Sequence, residues 1–248
     1  MPKIGDSGDV ELVQRKAGHF GFSAVKMDDL GASEYTLVVV VEDHSGSVVD
    51  FRTDMENALK EIVNACAFSD RADNLLLRVV RFDDYSEEIH GFKLLSQCNV
   101  DDYNGVLVPG NMTALYDASV DGIESVGNFG KELQDQDFNV NAIVFVVTDG
   151  CDNRSKTTPK QVSEALKKAV KSECLESLVS ILIGVNITDP TVAGELQKFN
   201  TEAGFTQYVE LKDANKNTLA KLAQFVSKSI SSQSQALGTG TRSSSITF

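Results

Sequence analysis

The chain is short of basic residues, of closely spaced cysteines and of long apolar runs, and each shortage closes off a class of protein. Lys and Arg number 23 against 36 Asp and Glu, a net charge of −13. Proteins that neutralise phosphates by counterion release need the opposite balance, so nucleic acid and anionic membrane surfaces are poor general partners. Uninterrupted apolar runs reach about five residues, as at 37–41, where a membrane span needs about 20. The start, Met1-Pro2-Lys3-Ile4-Gly5-Asp6, holds no apolar signal segment, so no secretory leader is expected. Cys66, Cys98, Cys151 and Cys174 form no C-x-x-C pair. They read as reduced, mostly buried thiols of a cytoplasmic protein. No G-x-G-x-x-G follows the first strong strand, and neither a G-x-x-x-x-G-K-[ST] loop nor a G-x-S-x-G elbow is present. Dinucleotide and P-loop chemistry is thereby disfavoured.

What is present is an ordinary globular composition. The 248 residues are 42% apolar and 24% charged, enough for a substantial core without disulfides or a structural metal. Residues 1–34 show little periodicity and read as an N-terminal arm packed on the domain edge, with His19-Phe20-Gly21-Phe22 its local apolar cluster. Residues 35–230 form the domain. Residues 231–248 are Ser-rich and read as a flexible tail ending in Ile246-Thr247-Phe248, either a short docking peptide or an end of no consequence.

Within the domain, strand and helix patterns alternate. Residues 36–41 are a β-branched run, the mark of a strand buried on both faces. Phe51, Met55, Ala58, Leu59, Ile62, Val63 and Cys66 follow at helical spacing. Strands are predicted at 75–82 and 89–95. The link between them is too short for a parallel crossover, so they form an antiparallel hairpin. Leu115, Ala118, Gly122, Ile123, Val126 and Phe129 mark the next helix. A strand at 140–147 precedes a helix capped by Thr158 with Pro159 at its first position. A strand at 178–185, a helix opened by Asp189-Pro190 and stopped at Gly204, a strand at 207–211 and a helix through Leu219, Leu222, Val226 and Ile230 complete the chain. The order implies a Rossmann-like, doubly wound α/β fold: a mostly parallel six-stranded sheet with one antiparallel edge strand. Such sheets place their sites at the carboxyl ends of the strands.

Three loops there carry the chemistry. After the first strand comes Asp43-His44-Ser45-Gly46-Ser47, with three oxygen-bearing side chains in one turn. Gly110-Asn111-Met112-Thr113 sets a hydroxyl at the entrance of a helix, and Thr148-Asp149-Gly150 sets a carboxylate at the end of a strand. Near the switch point of the sheet these loops converge, giving five oxygen donors and no thiolate. That set suits a hard cation such as Mg²⁺ or Mn²⁺ rather than Zn²⁺.

The pattern resembles the von Willebrand factor A (vWA) family, in which a D-x-S-x-S loop, a distant Thr and a distant Asp form the metal ion-dependent adhesion site (MIDAS). The likeness covers about residues 34–230, and Asp43, Ser45, Ser47, Thr113 and Asp149 all match. It implies that Ser45, Ser47 and Thr113 supply hydroxyl ligands and that Asp43 and Asp149 bind directly or through water. The implied ion is Mg²⁺, with Mn²⁺ as the alternative. The implied function is protein binding, with a partner's Asp or Glu taking the open metal position, and no enzymatic activity. Intracellular bacterial and phage members of this type imply a MoxR-type AAA+ ATPase, or a protein from a defence or stress gene cluster, as partner.

Other readings compete. A haloacid dehalogenase would need a second aspartate where Ser45 stands, and a receiver domain a phosphoacceptor Asp after its third strand, where Lys93-Leu94-Leu95-Ser96 stands. A structural scaffold with an idle metal site and, behind it, a metal-dependent hydrolase are the alternatives. Glu42 stands where the family has an apolar strand residue and reads as the polar start of the loop or an outer-sphere acceptor. His44 reads as solvent-facing, Cys151 and Asp152 as an exposed rim, and Asp117 and Asp121 as a solvated helix face. Arg78 and Arg81 interrupt a strand and read as snorkelling or pairing at an edge.

Overall fold

The computed structural model of the chain describes residues 12–17, 20–69 and 71–239. Its centre is a run of valines. β3 (Glu34–Asp43) is buried from Tyr35 onward, without the alternation of a half-exposed strand, because helices cover both of its faces. β4 (Leu75–Phe82) and β6 (Asn139–Thr148) pair with it in parallel on either side. β7 (Ser177–Val185) and β8 (Gln207–Leu211) extend the parallel set beyond β6. β5 (Ser86–Leu94) returns antiparallel along β4, as the short link requires.

Among the described residues the sheet has eight strands rather than six. The extra pair is β1 (Val13–Ala17) and β2 (Phe20–Ala24), an antiparallel hairpin built from the segment expected to be an arm. β2 meets β5 in parallel at Ala24 and Phe92, giving the order β1-β2-β5-β4-β3-β6-β7-β8. β5 is thus interior, and the hairpin supplies the edge. Phe22 explains the docking. It is fully buried, and its ring packs edge-on against Phe92 at 5.9 Å and Phe129 at 6.1 Å, geometries that aromatic pairs favour.

Helices α1 (Arg52–Ala67) and α5 (Lys216–Thr239) cover one face of the sheet. Helices α2 (Leu115–Gln134), α3 (Pro159–Lys171) and α4 (Pro190–Ala203) cover the other. α3 opens on a complete capping box between Thr158 and Gln161, and α4 on Asp189, whose carboxylate accepts the Thr191 N–H at 2.7 Å. α4 ends at Gly204 with φ 78°, a left-handed conformation that glycine adopts without strain. α2 lies so close to β3 that a Cβ on Gly122 would sit 2.7 Å from the Val41 side chain. α5 continues as helix through 231–239, where the Ser-rich tail was expected to begin; Ile246-Thr247-Phe248 lies outside the described residues. Among those residues, no helix is long and apolar enough to cross a membrane.

Successive connections run from β3 to one side of the sheet and later to the other. The switch point therefore falls between β3 and β6, and their carboxyl ends carry Asp43 and Asp149 to one crevice.

Candidate metal centre

Asp43 is fully buried at the end of β3. One carboxylate oxygen accepts the Ser45 N–H at 2.8 Å, and the other accepts the Thr148 hydroxyl at 2.6 Å. Ser45 Oγ and Ser47 Oγ lie 3.1 Å apart. Asp149 lies near the Ser47 side chain, which favours its charged form, and beside Asp43, whose ionisation its own charge disfavours. Four of the five sequence-predicted residues thus stand together. Thr113 arrives by its backbone: Gly46 N–H donates to Asn111 O at 2.9 Å, and Gly110 N–H to His44 O at 2.7 Å. Asn153 then clamps Thr113, accepting its N–H at 2.8 Å and donating its own N–H to Thr113 O at 3.0 Å. Thr113 is 4% exposed.

The electrostatics are those of a site short of positive charge. Burial, and then the neighbouring Asp149 charge, push the Asp43 carboxyl up to about 7, against the hydrogen bonds from Thr148 and Ser45. Burial also raises Asp149. Asp149 Oδ1 is buried with no hydrogen-bond partner, and an orphaned buried carboxylate oxygen is costly. A divalent cation would relieve both conditions. Among the described residues no cluster of three or more His, Cys, Asp or Glu stands in metal-binding arrangement. A set of two carboxylates and three hydroxyls is not such a cluster; it fits a hard ion that keeps water or an outside ligand in its shell.

The surroundings correct several expectations. His44 is 7% exposed, and its Nδ1 lies 2.6 Å from Val108 O, so it ties down the loop rather than facing solvent. Glu42 is the penultimate residue of β3 and fully buried, not the start of a loop. Neither of its oxygens has a hydrogen-bond partner, and burial holds its carboxyl well above the usual range. Its cross-strand neighbour Arg81 turns instead to Glu87 and to Val106 O. Asp152 accepts the Tyr116 N–H at the start of α2 rather than standing free at the rim. Asp117 accepts the N–H groups of Lys156 and Thr157. Asp121 is 2% exposed and pairs with Arg78, itself 1% exposed; neither is a surface group.

Two supporting residues carry no signal in the D-x-S-x-S pattern. Thr148 orients Asp43, and Asn153 orients Thr113. Each stands within a few residues of Asp149, the one cue the sequence offers. Losing an outer-shell partner of this kind typically costs about 10–100-fold in metal affinity. Thr148→Val keeps the side-chain shape and removes the donor to Asp43. Calorimetric titration with Mg²⁺ is expected to show a loss in that range, with the fold unchanged by circular dichroism.

No protein-family model and no curated protein matches the chain. Solved structures do. The PilB minor pilin from Streptococcus sanguinis is similar with a TM-score of 0.55 at 16% identity, over 84% of this chain and 64% of that one. Proximal thread matrix protein 1 from the mussel byssus, with a zinc-occupied MIDAS motif, gives 0.54 at 20% identity, over 79% of this chain and 46% of that one. The ArnB paralog VWA2 from Sulfolobus acidocaldarius gives 0.52 at 12% identity, over 81% and 46%. The chain spans about half to two thirds of these longer proteins. At such identities the likeness establishes the fold: a Rossmann-like α/β domain of the vWA type.

Proposed function

We propose that the chain is a metal-dependent protein-interaction module rather than an enzyme. Mg²⁺, held by Asp43, Ser45, Ser47, Thr113 and Asp149, presents an open position to an Asp or Glu carboxylate of a protein partner. The observation that carries this reading is the proximity of Asp149 to Asp43 beside Ser45 and Ser47, with one Asp149 oxygen buried and unpartnered. Bound there, the ion supplies a positive charge that only two carboxylates oppose, so the centre stays electrophilic toward a third. The mussel protein with metal in its MIDAS motif supports the assignment by analogy of fold.

The rim suits a protein partner. Val49, Val108 and Met112 are 60%, 59% and 43% exposed. They belong to the stretches that carry Ser47, tie down His44 and precede Thr113. Apolar groups around a charged anchor exclude water and strengthen the contact. The net charge of −13 slows encounter with an acidic partner more than it weakens the contact, since screening sets in within about 8 Å at physiological salt. A MoxR-type AAA+ ATPase, or a defence or stress protein in the cytoplasm, is the partner class taken from the family resemblance. The four cysteines are free thiols, which accords with a reducing compartment.

A pull-down with the tagged chain tests the reading, run in Mg²⁺, in EDTA, and in Mg²⁺ with folded Asp149→Ala. A partner retained only by the wild type in Mg²⁺ is the expected result. Equal recovery in all three would transfer the reading to a scaffold with an idle site.

A further inference from the structure

A cavity of about 580 Å³ opens beside the metal centre, lined among others by Asp84, Tyr85, Ser86, Val120, Arg154 and Thr157. That volume lies in the range of ~300–1,000 Å³ typical of ligand sites. It is stitched to the segment that carries Thr113 from both sides. Met112 N–H donates to Asp84 Oδ1 at 3.2 Å, and Ala114 N–H to Asp83 O at 2.8 Å. On the other side, Asn153 clamps Thr113 and is followed directly by Arg154. An extended chain advances about 3.3 Å per residue, so a segment anchored at the metal reaches this cavity within a few residues.

The lining has unused hydrogen-bonding capacity. Ser86 Oγ and Thr157 Oγ1 are shielded from solvent and have no hydrogen-bond partner. Each hydroxyl donates and accepts, and binding a ligand in the cavity that its residue lines would need a rotation about its Cα–Cβ bond. A peptide group offers one N–H and one C=O, the complement of such a pair. The acidic groups nearby are already engaged. Asp117 accepts the N–H groups of Lys156 and Thr157, and Asp84 accepts Met112 N–H and lies 3.9 Å from the Arg154 guanidinium. Arg154 and the exposed Lys156 place positive charge at the mouth of an otherwise acidic protein, and Tyr85, 71% exposed, offers its ring as a wall.

We propose that this cavity is a second recognition subsite, taking the main chain of an extended peptide segment next to the partner residue whose carboxylate reaches the metal. The inference rests on the metal-dependent reading above and adds where the rest of the ligand lies. It gives the partner a chemistry: an acidic residue in an extended stretch, not one presented on a helix.

Short displayed peptides with a fixed central aspartate, selected on the full chain in Mg²⁺, supply the probe. Their affinity is then measured by fluorescence anisotropy on the wild type, on Ser86→Ala combined with Thr157→Val, and separately on Arg154→Glu. Mg²⁺ affinity of each variant is measured in parallel. The expected result is metal-dependent binding that falls about tenfold or more on the double variant, and falls on Arg154→Glu, with Mg²⁺ affinity unchanged. Metal-dependent binding that neither variant weakens would overturn the subsite and leave the metal reading standing. A loss of peptide affinity only in step with Mg²⁺ affinity would also overturn it. Selected peptides that bind equally in EDTA, or no selected peptide at all, would overturn the metal reading and the subsite with it.

Discussion

Replacing Asp149 with alanine is expected to lower Mg²⁺ affinity by more than about 100-fold, beyond the ~10–100-fold typical of an outer-shell partner. The metal-free protein is expected to respond in the opposite sense. Without an ion, the half-buried Asp149 sits beside the buried Asp43 and its charge pushes the Asp43 carboxyl up, while Asp149 Oδ1 has no partner. Removing one relieves the other. In EDTA at pH 8 the unfolding midpoint of Asp149→Ala is expected to rise by a few degrees, about 1 kcal/mol for a chain of this size. A fall in that midpoint would show that Asp149 is structural rather than poised for a cation. The pH dependence follows the same sign. In the folded apo-protein Asp43 keeps its proton up to about 7, whereas its ordinary value is 3.8. Between those values the folded state binds more protons than the unfolded one, so apo stability declines as pH rises through that window. Saturating Mg²⁺ is expected to replace the proton and remove the decline. Melting curves from pH 4 to 8, with and without the ion, read both effects.

The second large effect lies away from the metal. Arg78, buried between β4 and α2, donates to Glu88 Oε1 at 2.7 Å, to both Asp121 oxygens at 3.3 Å and to Ser125 Oγ at 3.2 Å. Glu88 also accepts the Ser23 N–H and hydroxyl. One guanidinium therefore joins β4, β5 and α2 and, through Glu88, the terminal hairpin. Arg78→Met strands two carboxylates, Asp121 almost wholly buried and Glu88 partly so. Breaking such a network from one side costs about 3–5 kcal/mol, a midpoint drop of roughly 10 °C. Burial already outweighs the Arg78 charge in setting the Asp121 carboxyl, which sits above its ordinary value. Pairing Arg78→Met with Asp121→Leu should therefore recover much of the loss. Thermal denaturation of the single and double variants separates the two: equal losses would contradict the account.

The central strands and helices were legible because each is a long apolar pattern with a sharp boundary. The valine run of β3, Thr158-Pro159 at the start of α3 and Gly204 after α4 are local signals that their surroundings do not override. The terminal hairpin was not legible. β1 reads Val-Gln-Arg-Lys-Ala, and the pairing of β2 depends on Phe22 finding Phe92 and Phe129, far along the chain. The D-x-S-x-S loop stood out locally, but Thr113 and Asp149 join it only through the sheet order and the family resemblance. Charge was the misleading signal. Asp121 looks like a surface residue and Glu42 like the polar start of a loop, yet one is held by Arg78 and the other is fully buried with neither oxygen hydrogen-bonded. A sequence shows that a residue is charged but not which distant group covers it.

The central claim is that a divalent cation sits among these five residues and stays open to an outside ligand. Crystals grown in Mn²⁺, examined at the manganese absorption edge, test it most directly. The account predicts one anomalous peak within coordination distance of Ser45 Oγ, Ser47 Oγ and Thr113 Oγ1. The Asp43 and Asp149 carboxylates should lie in the first or water-bridged shell, and at least one position should be filled by water or a neighbouring carboxylate. An anomalous map with no peak there at saturating Mn²⁺, or with the peak at other residues, would contradict it.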